Sequence, residues 1–207
     1  PAVGKKAEAI IEAAIRHAID KPTGNLTDGD FEKVKKLMLV CENLADISAL
    51  SKLKNLKVLN LYGNQISDLR PLIGLKKLTL LDLRINRVDD LAPLAGLANL
   101  KTLRLKNNRV SDVSPLEKLA KLESLDLANN RVNQLIPGRG KDRDWSGPTP
   151  FPNLRFVQLG DNSNAEDFDV WKLLSIRPKL SIDYGLSEYE EDYWSGFGIS
   201  SPELPVG

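Results

Sequence analysis

The sequence predicts an α/β fold: a right-handed solenoid whose concave side is a parallel sheet of about six short strands. Short helical turns line its convex side, and a helical cap closes each end. Three observations carry that prediction. Leu37, Leu59, Leu81, Leu103 and Leu125 stand 22 residues apart, and Leu39, Leu61, Leu83, Leu105 and Leu127 follow two positions behind them. Asn64, Asn86, Asn108 and Asn130 hold a second column at the same period, and Asp46, Asp68, Asp90 and Asp112 a third. Before the repeated region the spacing of apolar residues becomes helical. A fixed period of this length marks a coil that stacks on copies of itself.

The first element is a helix. "AEAIIEAAIRHAID" places Ile10, Ile11, Ala14, Ile15, Ala18 and Ile19 on one face, as a cap over the apolar end of a solenoid requires. "KPTG" breaks it, and "TDGDFEKVKKL" opens a second helix with Thr27 as N-cap and Asp30 three residues on, the spacing of a capping box. Residues 1–36 form this N-terminal cap. Residues 37–162 are the repeats. In each "LxL" both leucines point inward from one strand, because strand side chains alternate, and stacked coils bring neighbouring strands to ~4.8 Å. Each Asn stands where the chain leaves the strand, and its amide can satisfy backbone groups that the bend leaves unpaired. Glu42 takes that place in the first copy, so the ladder is expected to weaken there. "DLRPL", "DLAPL" and "DVSPL" read as Asp-started turns with Pro in the first turn of a short helical segment. Arg87, Arg109 and Arg131 form a like-charged column that Asp68, Asp90 and Asp112 are expected to neutralise.

The pattern LxxLxLxxN followed by a Pro-containing stretch is similar to that of leucine-rich repeats of the 22-residue class, over about residues 34–162. The helix–Pro-Thr-Gly–helix entry resembles the N-terminal caps of bacterial internalin-like proteins. A sixth copy resumes at Val157, Leu159 and Asn162, after a repeat lengthened to 32 residues by "IPGRGKDRDWSGPTPFP" at about 136–152. "GRGK" lacks the spacing of a phosphate loop. The insertion, with Trp145, is either a binding element or a packed surface loop.

Residues 163–184 are read as a helical C-terminal cap. "AEDFDVWKLLSIRPKLSIDYG" resembles the cap of eukaryotic 22-residue-repeat proteins, with Trp171, Lys172, Leu173, Leu174, Ile176, Pro178, Leu180 and Asp183 in its places, although the spacing after Leu180 is one residue short. "DNSN" at 161–164 does not match a calcium loop, since Glu166 replaces its glycine and Lys172 its final Glu; Asn164 instead suits a helix N-cap. Residues 185–207 are an acidic, aromatic tail. Ten of the twelve aromatic residues lie between Trp145 and Phe197, so the tail either packs on the last coil or engages a basic surface. Residues 183–207 carry six acids and no Lys or Arg; with a net charge of +1 for the chain, the remainder sums to +7.

The letters around each "LxL" face outward from the concave sheet, and stacking them by repeat gives the candidate binding residues. These are Val58, Asn60, Tyr62, Leu80, Asp82, Arg84, Arg104, Lys106, Asp126 and Phe156, with Trp145 on the insertion. Arg and Tyr among a few apolar residues is the composition of interaction hot spots. The alternative is a solvated face whose charges pair across strands. A binding face of this kind suits a folded protein or peptide with acidic groups. The resemblance implies either an internalin-like grip on host or extracellular proteins, or the work of an intracellular adaptor or phosphatase-regulator subunit.

Other classes fit poorly. No run approaches the ~20 apolar residues of a membrane span, and a net charge of +1 gives no strong field for nucleic acid. Cys41 alone cannot make an internal disulfide. His17, the one histidine, lies in the capping helix and reads as a partly packed residue; Cys41 reads as a small apolar filler. Asp82 and Asp126 are two strands apart, about 10 Å, on an open sheet without a dry concave site. The expectation is a monomeric, non-enzymatic protein-binding module without cofactor or metal.

Overall fold

The computed structural model describes residues 2–132, 135, 151–162 and 179–183. Trp145 with most of the insertion, the cap stretch 163–178 and the tail from 184 onward lie outside the described residues. Helix α1 spans Ala2–Ala18 and α2 spans Asp28–Lys33. Seven three-residue strands follow: β1 Lys36–Met38, β2 Val58–Asn60, β3 Leu80–Asp82, β4 Thr102–Arg104, β5 Ser124–Asp126, β6 Phe156–Gln158 and β7 Ser181–Asp183. They form one parallel sheet in chain order. Each strand pairs with the next without slippage, so Leu37, Leu59, Leu81, Leu103, Leu125, Val157 and Ile182 lie side by side.

The sheet is one strand larger than the expected six. Ile182 falls in the leucine row 25 residues after Val157, and Ser181 donates from its amide to the Arg155 carbonyl at 2.8 Å. The irregular step placed this segment in the cap rather than in the sheet.

Both leucines of every "LxL" are buried, together with Ile66, Val88, Val110 and Val132 beyond the turn. On the convex side 3₁₀ turns cover Ser48–Lys52, Arg70–Leu72, Ala92–Leu94 and Ser114–Leu116, the last three built on Pro71, Pro93 and Pro115. The aspartate column starts them. Asp46, Asp68, Asp90 and Asp112 each accept the amide two residues ahead at 2.8–2.9 Å. Those carboxylates therefore serve their own turns; among the described residues no ion pair joins them to Arg87, Arg109 or Arg131, whose side chains are exposed.

The asparagine ladder runs backwards. Asn86 donates from Nδ2 to the carbonyl of Leu83 in its own coil at 3.0 Å and to that of Leu61 in the previous coil at 2.9 Å, while its Oδ1 accepts the Ile66 amide at 2.9 Å. Asn64, Asn108, Asn130 and Asn162 repeat the pattern. Asn64 and Asn130 are buried and the other three are half-buried. Because each side chain reaches back one coil, Glu42, which follows the helical cap, is not called on for such a bond; its amide instead donates to Asn64 Oδ1 at 3.1 Å.

In the N-terminal cap, Ala7, Ile11 and Ile15 are buried and Ile10, Ala14 and Ile19 pack partly against the core. Ala18 and His17 are exposed, so the apolar stripe is one residue narrower than its spacing suggested. The Thr27 amide and hydroxyl donate to Asp30 at 3.0 and 2.8 Å, and Lys21 and Lys33 approach the same carboxylate at 2.6 and 3.1 Å. Chiefly through Lys21, these donors hold Asp30 well below the usual carboxylate range.

Three outcomes follow from this packing. Leu105→Ala is expected to lower stability by about 2–5 kcal/mol through a core cavity, read as a lower denaturant midpoint. Asn108→Ala strips partners from the Leu83 and Leu105 carbonyls and the Val88 amide; a loss of at least about 1–3 kcal/mol is expected. A carboxyl whose folded pKa is depressed stabilises above its unfolded pKa, and that contribution is lost as pH falls through the folded value. Asp30→Asn should therefore unfold more easily at neutral pH and show a shallower decline on acidification.

Candidate functional site

Residues at the end of each strand set the chemistry of the concave face. Asn60, Asp82 and Asp126 occupy one row, and each accepts from the amide two residues ahead: Tyr62 at 2.9 Å, Arg84 at 3.1 Å and Ala128 at 3.2 Å. Short side chains with an acceptor oxygen form such local bonds readily. The hook draws the carboxylates down onto the backbone. Asp82 is 1% exposed and Asp126 8%, so neither borders a solvent-facing patch as the sequence suggested.

Asp82 is held by arginines. Arg84 donates to both of its oxygens from Nε, at 3.0 and 3.1 Å, and from Nη2 to Oδ2 at 2.6 Å, while Arg104 reaches the same Oδ2 from Nη1 at 3.5 Å. Arg84 also lies over the Tyr62 ring, 5.2 Å from its centroid. Its pKa is raised further above the usual arginine value, mainly by the bonds to Asp82. Arg84 is thus a fixed, half-buried platform, not a free cation.

Asp126 lies in register with Arg104, yet its bond is to the Ala128 amide. Burial raises its pKa above the usual value, opposed by that amide and by the charges of Lys106 and Arg84. Arg104 and Lys106 are exposed, and Lys106 forms no ion pair among the described residues. Val58, Asn60, Tyr62, Leu80 and Phe156 are half-buried on the same face. The structure therefore brings Tyr62, Asp82, Arg84 and Arg104 together directly and sets Lys106 and Asp126 beside them.

Sequence reasoning missed two features. Met38 and Val40, at the first coil, are large apolar residues left exposed on the sheet side. At the exits of β1 to β6 stands a residue in the left-handed region: Cys41, Gly63, Ile85, Asn107, Asn129 and Asp161, with φ between +52° and +71°. No shared residue type marks that column, so no letter pattern betrays it. Cys41 is exposed there, not a buried filler. Among the described residues no group of three or more His, Cys, Asp or Glu side chains is placed to hold a metal ion, and no helix is long and apolar enough to cross a membrane.

Comparison with known proteins fits this geometry. The family described as Leucine Rich repeats (2 copies) matches residues 32–74, 54–96 and 98–138, about half the chain. No curated protein matches the chain. Among solved structures, an internalin (InlF) from Listeria monocytogenes is similar over 88% of this chain, with 26% identity and a TM-score of 0.64. This chain spans 56% of that one. The functional domain of InlJ from Listeria monocytogenes, described as including a cysteine ladder, shares the fold at 16% identity and a TM-score of 0.60, over 76% of this chain and 38% of that one.

The raised pKa of Asp126 carries a prediction. An acid with a raised folded pKa gains stability as pH falls, because the folded state binds the proton first. Asp126→Asn should therefore exceed the wild type in unfolding midpoint at neutral pH, and the gap should shrink as pH falls through the carboxylate range.

Proposed function

This chain belongs to the leucine-rich repeat proteins, and we propose that it is a non-enzymatic interaction module that holds a protein partner against its concave face. One observation carries the proposal: on that face, through β5, the carboxylates are buried while Arg104 and Lys106 are exposed. Asp82 and Asp126 lie under the surface while Arg104 and Lys106 reach solvent, beside a Tyr62–Arg84 stack already fixed in place. A pre-ordered aromatic and arginine platform loses little freedom on binding. Exposed cations around it suit a monomeric module that recognises an acidic protein surface or peptide. The open face offers no enclosed site where an acid and a base could act on a substrate shielded from water.

Two settings share this face. An internalin-like binder of host or extracellular proteins is favoured by the 26% identity with internalin InlF. An intracellular adaptor or phosphatase-regulator subunit rests on the Trp171–Asp183 motif of the sequence alone.

A photo-crosslinking amino acid tests the face directly. Placed at position 106 on the concave side, it should yield a discrete adduct in extract or medium of the native cell. Unlabelled wild type should compete that adduct away, and Arg104→Gln should weaken it. Placed at Lys118, exposed beyond the 3₁₀ turn Ser114–Leu116, it should yield none. A competable adduct from 118 with none from 106 moves the site off the concave face.

A further inference from the structure

Among the described residues four large apolar side chains are prominently exposed: Met38 at 45%, Val40 at 40%, Ile85 at 43% and Ile73 at 47%. Ile73 follows the turn Arg70–Leu72 on the convex side. The other three stand on the first three coils of the sheet side. Met38 is in register with Asn60. Val40 precedes Cys41, whose amide donates to the Tyr62 carbonyl at 2.8 Å, so Val40 flanks Tyr62. Ile85 directly follows Arg84, the residue stacked on the Tyr62 ring.

Ile85 is in a strained conformation. Its φ is +54°, in the left-handed region where a β-branched side chain crowds its own backbone. Elsewhere in that column stand Gly63, Asn107, Asn129 and Asp161, which tolerate it better, and Cys41. With so much of its side chain in solvent, Ile85 does not recover that strain by burial in the core. Backbone strain without a packing return points to use. Gly63, between Cys41 and Ile85 in the column, has no side chain, and a Cβ there would lie 2.6 Å from Cys41 Sγ. The sulfur thus leans over the glycine that stands between Cys41 and Ile85 in the column.

We propose that Met38, Val40, Cys41, Tyr62 and Ile85 form the anchor subsite of the concave face, taking one aromatic or branched aliphatic side chain that the partner flanks with carboxylates. This rests on the concave-face reading above and shifts its centre from the middle strands to the first three coils. These apolar groups supply the desolvated contact that anchors use. The flanking acids follow from charge: in the concave rows through β5, Lys36, Arg104 and Lys106 are exposed while Asp82 and Asp126 are buried. Arg84, bound to Asp82, acts as the floor under Tyr62 and is not the group that meets the partner's acid.

The test uses the full chain labelled with ¹⁵N and a capped pentapeptide, Asp-Glu-Trp-Glu-Asp. Controls replace the Trp by Ser, or the four acids by Lys. The acidic Trp peptide should shift the amides of residues 38–41, 62–63 and 84–85, and both controls should leave them in place. Ile85→Asn relieves the strain and so should raise the unfolding midpoint, yet weaken peptide binding about tenfold, the loss of a hot-spot contact. Weaker binding by a better-folded variant is not explained by misfolding. Capping Cys41 with a maleimide should block binding likewise. Shifts centred on residues 102–106 and 124–128, with 38–41 and 85 unmoved, overturn the anchor subsite while leaving a concave site in place. Shifts confined to the convex turns, or none at all, overturn both. Nuclear Overhauser contacts from residues 38–41 to Tyr189, Tyr193 or Trp194 in the free chain would make its own tail the occupant and overturn an external partner.

Discussion

The structure depends on one interaction: an asparagine amide that bonds its own coil and the coil before it. A strand of three residues followed by a sharp exit leaves carbonyls and amides pointing inward, where water does not reach. Unpaired, each would cost more than a strand this short could return. Asn86 answers this by donating to Leu61 and Leu83 and accepting from Ile66. Those three bonds span two coils, so no coil can close its turn in isolation. The ladder ties register to stacking, and register in turn sets which side chains stand side by side on the concave face.

The same economy of short polar side chains decides the electrostatics. Asp82 and Asp126 sit one residue past the inward leucine, within reach of the amide two positions on. They bend back to it, and the bend buries them. Arg84 follows Asp82 down and is fixed over Tyr62. Arg104 only touches the pair, and Lys106 stays in solvent. Through β5, a face that looks balanced by letter count becomes cationic at contact depth. Ion pairs of this partly buried kind give shape and preorganisation more than net stability.

The sequence made the fold legible because its constraints repeat. Leucine, asparagine and aspartate columns each answer one physical demand at one position, and repetition separates demand from accident. What stayed hidden had no repeated letter. The left-handed column is filled by Cys41, Gly63, Ile85, Asn107, Asn129 and Asp161, joined only by backbone geometry. The seventh strand was hidden by a step of 25 instead of 22 residues. The depth of Asp82 was hidden because alternation marks which way a strand residue points, not whether its side chain then folds back on the chain. Of the candidate residues, Tyr62, Arg84, Arg104 and Lys106 do share the face, but the solvent-exposed apolar contribution comes from Met38, Val40 and Ile85 instead.

Position along the solenoid explains why strain and exposed apolar groups gather near its start. A coil in a repeat array is stabilised by its neighbours, and the first coil replaces one neighbour with a cap. Here α1 supplies Ile11 and Ile15 to that end of the core, which covers Leu37, the inner leucine of β1. The cap leaves Met38 and Val40, on the outer face of the same coil, uncovered. Ile85 lies two coils further on, where its amide is held by the Lys106 carbonyl at 2.9 Å and its neighbour Asn86 is locked into the ladder on both sides. Such bracing can hold a β-branched residue at positive φ where an isolated turn would relax. The strained residue is thus braced by the ladder and the uncovered ones stand on the coil that the cap closes, and bracing of this kind lowers the freedom a surface loses on binding.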